Sequence, residues 1–279
     1  MKNKYYVIKS FMNENKIKYY YVNRSIKKNE DIIHIGGINK KCFEVFIYKK
    51  LNYGVINLFE HNKYCSLHNI LHNGDETIDF VQNSISFIFN LYPTLEYLEI
   101  TDNSFIYCKN EKISLPDFYY IKYNFTWYES YLDAISAENS DDYIVSIKKI
   151  INKKLKKIIT LSKDDFIKKY YSYLVKESDK KIIYDIYYEG ITLKEYLKLM
   201  FDNNSDCFYY YKLFNDVIGN RLQGLKWIIK KNSISKYNIK AIIQKINQNI
   251  KNKNVDKLIN QLKEVKLNED NLKGGFMIL

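Results

Sequence analysis

The sequence predicts an α+β N-terminal half over residues 1–140 and an all-α half over residues 141–279. Three observations carry this. Short β-rich runs fill Lys16 to Phe59, an apolar stripe at helical spacing follows near residue 80, and the texture becomes uniformly helical and Lys-rich past Ser140. Both halves are long enough to bury a core of their own.

In order, "KIKYYYV", "DIIHI", "CFEVFIY" and "GVINLF" read as strands joined by hairpins, because Asn, Gly36-Gly37 and Asn52 interrupt them. Ile78, Val81, Ile85 and Ile88 recur at steps of three and four, which predicts a helix with Thr77 or Asp75 as N-cap. Pro93 ends it by forcing Tyr92 out of α geometry. "LEYLEITD" alternates Leu95, Tyr97 and Glu99 against Leu98 and Ile100, as a strand does. Short helices are expected near Leu115 to Tyr123 and Trp127 to Ala134. Beyond Ser140, "DYIVSIKKIINKKLKKII", "SKDDFIKKYYSYLVK", "TLKEYLKLMF", "CFYYYKLFNDVIGNRLQGLKWIIKK", "SKYNIKAIIQKINQNIK" and "NVDKLINQLKEV" have helical periodicity. Ser162, Thr192 and Ser235 precede three of these as caps, and Ser162 with Asp165 forms a capping-box-like start.

Charge divides unevenly. Residues 141–279 carry 28 Lys/Arg and 16 Asp/Glu. The other 16 basic and 16 acidic residues of the chain's 44 and 32 balance in residues 1–140, so the whole net charge of +12 lies in the second half. Such a half suits an anionic partner. Lys148, Lys149, Lys153, Lys154, Lys156 and Lys157 surround Ile150, Ile151, Leu155, Ile158 and Ile159, an amphipathic face suited to weak nucleic-acid or other phosphate contact through residues 148–157. No helix-turn-helix or zinc-finger signature accompanies it, so base-specific readout is not expected. No apolar run reaches the roughly 18 residues of a membrane span, and the first residues lack an apolar signal core. Cys42, Cys65, Cys108 and Cys207 show no paired spacing, so reduced thiols in an intracellular compartment are expected.

Residues His72 to Pro93, "HNGDETIDFVQNSISFIFNLYP", place a loop before a helix, followed by "YLEITDNSFIYC" and "NFTWYESYLDA". This order resembles a divergent set of giant-virus proteins related to GNAT acetyltransferases, over roughly Tyr53 to Ala134. The resemblance implies a mixed sheet with flanking helices and acetyl-CoA as acyl donor, its pyrophosphate held by backbone N–H groups at the helix start, here Asn73, Gly74, Asp75, Glu76 and Thr77. It also implies that Tyr128 of "TWYES" donates a proton to the departing thiolate, with Glu99 or Glu60 as base toward an acceptor amine or protein. Glu76 stands where the family has a second small residue, and Leu71 where it has a basic residue or Gln. A carboxylate beside pyrophosphate opposes binding by on the order of 1 kcal/mol at contact in water.

His61, Cys65, His68 and His72 bear metal-ligating side chains at steps of four, three and four. Successive helical turns carry such ligands about 5.4 Å apart, so four on one helix do not close a tetrahedral shell, and no metal site is expected. The end, "NLKGGFMIL", resembles the Leu-x-Gly-Gly sites cut by maturation proteases of large DNA viruses, at Leu272 to Gly275. Two functions follow as expectations. One is an acyl-CoA-dependent N-acyltransferase; the other is a non-catalytic virion or interaction protein that keeps the fold and offers its basic helical face to nucleic acid or protein. Either places the chain in the host cytoplasm or the virion.

Overall fold

The structure is a computed structural model that describes residues 2–11, 17–37, 40–59, 65, 74–108, 111–137, 140–171, 190–202, 212–213, 215–219, 222–236 and 241–246. By contact the chain divides into two compact units: Met1–Ile100 with Tyr131–Ala134 and Ile228–Leu279, and Thr101–Ser130 with Ile135–Trp227. Neither follows the single boundary expected at residue 140.

The first unit is built on a meander. Strands β1 (Lys2–Phe11), β2 (Ile17–Ile26), β3 (Glu30–Gly37), β4 (Lys40–Tyr48) and β5 (Tyr53–Leu58) pair antiparallel in sequence order. Helix α1 (Gly74–Leu91) then carries the chain to β6 (Tyr97–Thr101), which pairs parallel to β5 from Tyr53↔Tyr97 to Ile56↔Ile100. The meander strands and β6 are those expected from alternation. Strand β1 was not expected from its sequence, although Tyr6, Val7 and Ile8 are buried there.

Strand parity separates two sheet faces. One buries Tyr6, Ile8, Tyr20, Val22, Ile33, Ile35, Phe43, Val45, Ile47, Ile56, Leu98 and Ile100. Helix α1 packs on it: Phe80 lies 4.8 Å from the Tyr20 ring and 6.5 Å from Phe43, and Phe87 lies 5.5 Å from Tyr6. The stripe of Val81, Ile85 and Ile88 is buried as expected, but Ser84, Ser86, Phe87 and Phe89 are buried too, so α1 is enclosed on more than one side. Its small hydroxyl residues admit that close packing. Gly54 meets the same demand within β5, since a Cβ there would lie 2.8 Å from Ile47 Cδ1 and 2.9 Å from Leu98 Cδ2.

One end of this core is pinned by charge. Asp31 is fully buried and accepts from Arg24 Nη2 at 2.7 Å, from Arg24 Nε at 3.0 Å and from the Tyr92 hydroxyl at 2.5 Å, while Lys49 Nζ lies 2.6 Å away. The Arg24 guanidinium also covers the Tyr92 ring at 4.8 Å. The cluster ties β2, β3, the β4–β5 turn and the exit of α1 together.

Three sequence expectations are corrected in this unit and its neighbour. Helix α1 begins at Gly74, so Asp75 and Thr77 lie inside its first turn rather than capping it. The C-terminal half is not wholly helical: β10 (Lys226–Lys230) and β11 (Ala241–Ile246) are strands, and Ser235 lies in a 3-10 turn, Lys231–Lys236, instead of capping a helix. Strand β11 pairs antiparallel with β1 from Tyr5↔Ile246 to Ser10↔Ala241, and the 3-10 turn packs against α1. The segment "NVDKLINQLKEV" and the Leu272 to Gly275 site lie outside the described residues.

The second unit holds the hairpin β7 (Phe105–Cys108) with β8 (Glu111–Ser114), the two-residue strand β9 (Ile135–Ser136), and helices α2 (Leu115–Tyr123), α3 (Trp127–Leu132), α4 (Ser140–Ile151), α5 (Leu155–Ile158), α6 (Lys163–Tyr171) and α7 (Leu193–Asp202). The continuous helix expected over residues 142–159 is broken, because Leu155 N–H donates to Ile191 O and Leu193 N–H to Lys153 O, drawing Lys154 into an extended bridge with Thr192. The expected caps hold at α6 and α7: Asp165 N–H donates to Ser162 Oγ at 3.1 Å and Glu195 N–H to Thr192 Oγ1 at 3.2 Å. Glu195 completes a capping box by accepting from Thr192 N–H at 2.8 Å. Phe166, Tyr170 and Tyr196 form its aromatic core with Leu155, Ile147 and Ile151.

Candidate functional site

In a parallel strand–helix–strand crossover, the carboxyl ends of the strands and the N-terminus of the helix meet at one end, where ligands bind. Here those are Leu58 and Thr101 at the ends of β5 and β6, and Gly74 at the start of α1. Gly74, Asp75, Glu76 and Thr77 form the first turn of α1; Asn73 and Glu60 lie outside the described residues. Glu99 is half-buried on β6, in register with Val55 of β5, on the sheet face opposite α1. The unpaired N–H groups of such a first turn give it about half a positive charge, which attracts an anion or the turn's own carboxylates.

On the same face as Glu99, strand register aligns four polar side chains on four neighbouring strands: Asn23↔His34, His34↔Glu44 and Glu44↔Asn57. The row ends at Asn57, one residue before the carboxyl end of β5. His34 Nε2 lies 2.5 Å from Glu44 Oε2, a contact that becomes an ion pair only when the ring is protonated. Lys41 Nζ and Asn57 Nδ2 each approach the Glu44 carboxylate at 3.4 Å. Burial pushes the His34 imidazole pKa down, and the Lys41 charge adds to that, against the opposing pull of Glu44. His34 is therefore neutral at pH 7 and carries a lone pair. Its side chain is 23% exposed and that of Glu44 12%, although Nε2 itself is buried against the carboxylate. Asn23 Oδ1 is a buried acceptor with no hydrogen-bond partner among the described residues. Apolar Ile32, Phe46 and Val55 form the next row, and Tyr48, Tyr53 and Tyr97 stack beyond it with ring centroids 5.2 and 5.4 Å apart.

Tyr128 belongs to the second unit. It is 6% exposed, with Trp127 5.4 Å and Trp227 6.3 Å from its ring. Burial first, and then the negative charge of Asp102, push its phenol pKa well above 10, so it stays neutral. Asp102 was not singled out in the sequence. It is 2% exposed and accepts both the Ser104 N–H at 3.0 Å and the Ser104 hydroxyl at 2.6 Å. Burial pushes its carboxyl up to about 6 while those two bonds restrain the rise. A carboxyl raised in the folded state contributes stability that is present below its unfolded value near 3.8 and is lost as pH rises through about 6. Asp102→Asn keeps an acceptor for Ser104. It is expected to flatten the stability profile between those two pH values and to gain about 2 kcal/mol at neutral pH, read by urea unfolding at both ends. A loss of stability at neutral pH would refute this.

The expectation of reduced thiols is corrected at one pair. Cys42 and Cys65 form a disulfide with Cα atoms 5.7 Å apart, and both residues are fully buried. Cys65 is consequently no metal thiolate. The other metal-ligating side chains of that stretch, His61, His68 and His72, lie outside the described residues, and among the described residues no three His, Cys, Asp or Glu gather to hold a metal.

The lysines expected on one amphipathic helix are exposed, but the helix is broken at residues 152–154 and Ile150 and Ile158 of its apolar stripe are only half-buried. Lys148, Lys149, Lys153, Lys154, Lys156 and Lys157 are exposed, and Ile147, Ile151, Leu155 and Ile159 are buried beneath them. No described helix is long and apolar enough to cross a membrane.

Geometry of fold and row defines the class: an α+β chain whose first unit is an antiparallel meander ending in a parallel strand–helix–strand crossover. Comparison with known proteins finds no matching family model, no similar curated protein and no similar solved structure.

Proposed function

We propose that the chain is a GNAT-like, acyl-CoA-dependent N-acyltransferase. The carrying observation is the parallel β5–α1–β6 unit set at the end of an antiparallel meander, with a polar row that holds His34 and Glu44 and ends at Asn57, one residue before the carboxyl end of β5. Acetyl-CoA would supply the acyl group as a thioester, and the N–H groups of Gly74 to Thr77 are the ones suited to its pyrophosphate. His34 and Glu44, with Glu99 on the same face, are the groups suited to an acceptor amine. Tyr128, enclosed by two tryptophans, fits a packing role better than proton donation to a thiolate.

Calorimetric titration of acetyl-CoA into the full chain tests this, alongside a variant with Asp75→Gly and Glu76→Gly. Micromolar binding is expected, tightened about tenfold in the variant by removing two like-charge contacts. Binding by the variant alone would make this a lost cofactor site on a retained fold, and binding by neither would remove the reading.

The second reading is a non-catalytic interaction protein of the virion or host cytoplasm. The six exposed lysines over residues 148–157 favour it, since the sequence between Asp142 and Asp164 contains no Asp or Glu. Their partner would be a nucleic-acid backbone or an acidic protein.

A further inference from the structure

We propose that the Asn23–His34–Glu44–Asn57 row is the site of an acceptor amine that carries an extended apolar body. The inference rests on the acyl-transfer reading for its chemistry, but the amine site itself stands on the geometry of the sheet.

Four features of the face select this class of ligand. Asn23 Oδ1 is a buried acceptor with no donor among the described residues, which an ammonium N–H supplies and a carboxylate or phosphate does not. Glu44, two strands along the row, and Glu99, on the next row two strands further on, add negative charge to the face, and Lys41 is the cation at the row's rim. Ile32, Phe46 and Val55 give the body an apolar floor. The Tyr48–Tyr53–Tyr97 ladder lies four residues along the strands, about 13 Å from the polar row, so the body that spans the face is several carbons long. A small hydrophilic amine would leave this floor and ladder unused.

The proton step balances within the site. An ammonium arrives charged; one proton passes from its nitrogen to a ring nitrogen of neutral His34, leaving a neutral amine with a free lone pair and an imidazolium facing Glu44. His34 then returns that proton to solvent. Glu44 acts as a positioning residue, holding the ring and balancing the imidazolium.

The test follows the ring signal of His34 in isotope-labelled full-length protein, assigned by its absence in His34→Gln, as phenylbutylamine is added. The expected result is a saturable shift, with phenylbutanol about tenfold weaker because it brings no charge, and with Glu44→Gln weakening the amine by about the same factor. An unmoved His34 signal, or equal response to the alcohol, overturns the proposal without depending on any variant folding. Acetyl-CoA is titrated into the same samples. A His34 response to the amine without acetyl-CoA binding removes the acyl-transfer reading and leaves the amine site, whereas acetyl-CoA binding with a silent His34 does the reverse.

Discussion

Asp31→Ala is expected to destabilise the first unit by about 3–5 kcal/mol, the cost of removing one partner from a buried ionic cluster. The carboxylate is fully buried, and its removal strands a guanidinium held between it and the Tyr92 ring. Lys49 is less affected, because its side chain is 32% exposed and can turn to water. Asp31→Asn, which keeps an acceptor but not the charge, should fall between the two. Urea unfolding at neutral pH reads both, and a loss below about 1 kcal/mol in the Ala variant would mean that water already screens the cluster.

The same carboxylate gives a pH signature. Burial alone would raise its pKa, but hydrogen bonds from Lys49, Tyr92 and Arg24 outweigh that and hold it below 3.8. A depressed folded-state value means stability that is complete above the unfolded pKa and is lost as pH falls through the folded one. The wild-type chain should therefore lose stability steeply below about pH 4, and Asp31→Ala should lose less over that window.

Much of this cluster was legible only in part. Asp31 opens "DIIHI" and Arg24 follows "KIKYYYV", so each looks like a polar residue at the edge of a strand; that they share a face depends on the Arg24↔Ile33 register of β2 with β3. His34 and Glu44 likewise interrupt apolar runs visibly, but their contact and the row to Asn57 need the register of β3, β4 and β5, which no local pattern encodes. The meander itself was readable because alternation is a local signal. "KWIIK" and "AIIQKI" failed for the opposite reason: Ile242 and Ile246 are four apart and fit a helical stripe, while pairing with β1, over two hundred residues earlier, makes a strand. In α1, periodicity revealed one buried stripe, and the burial of Phe87 and Phe89 on other sides came from tertiary packing alone. At the candidate site, the helix start at Gly74 could be read to within a few residues, whereas the enclosure of Tyr128 by Trp227, ninety-nine positions on, could not.

Loss of the Cys42–Cys65 disulfide is expected to cost about 3 kcal/mol, the loop-closure entropy released to the unfolded chain by a bridge of this span. The two cysteines are 23 residues apart, a separation with no motif spacing, which is why the pair was invisible in the sequence. Cys42 lies next to the β3–β4 irregularity between Ile35 and Gly36, and its carbonyl accepts from Phe59 N–H at 3.0 Å, just past the end of β5. Cys65 lies between β5 and α1 in the chain. The bridge therefore ties Cys65 to the strand that carries Glu44. If this anchoring matters to the site as well as to stability, the Cys42→Ser, Cys65→Ser double variant should lose affinity for acetyl-CoA, while the His34 signal keeps its response to phenylbutylamine. Unfolding curves of the oxidised, reduced and double-Ser proteins separate the two effects. Reduced and double-Ser chains should agree in stability to within about 0.5 kcal/mol, and an unchanged midpoint on reduction would show that the bridge contributes nothing to the fold.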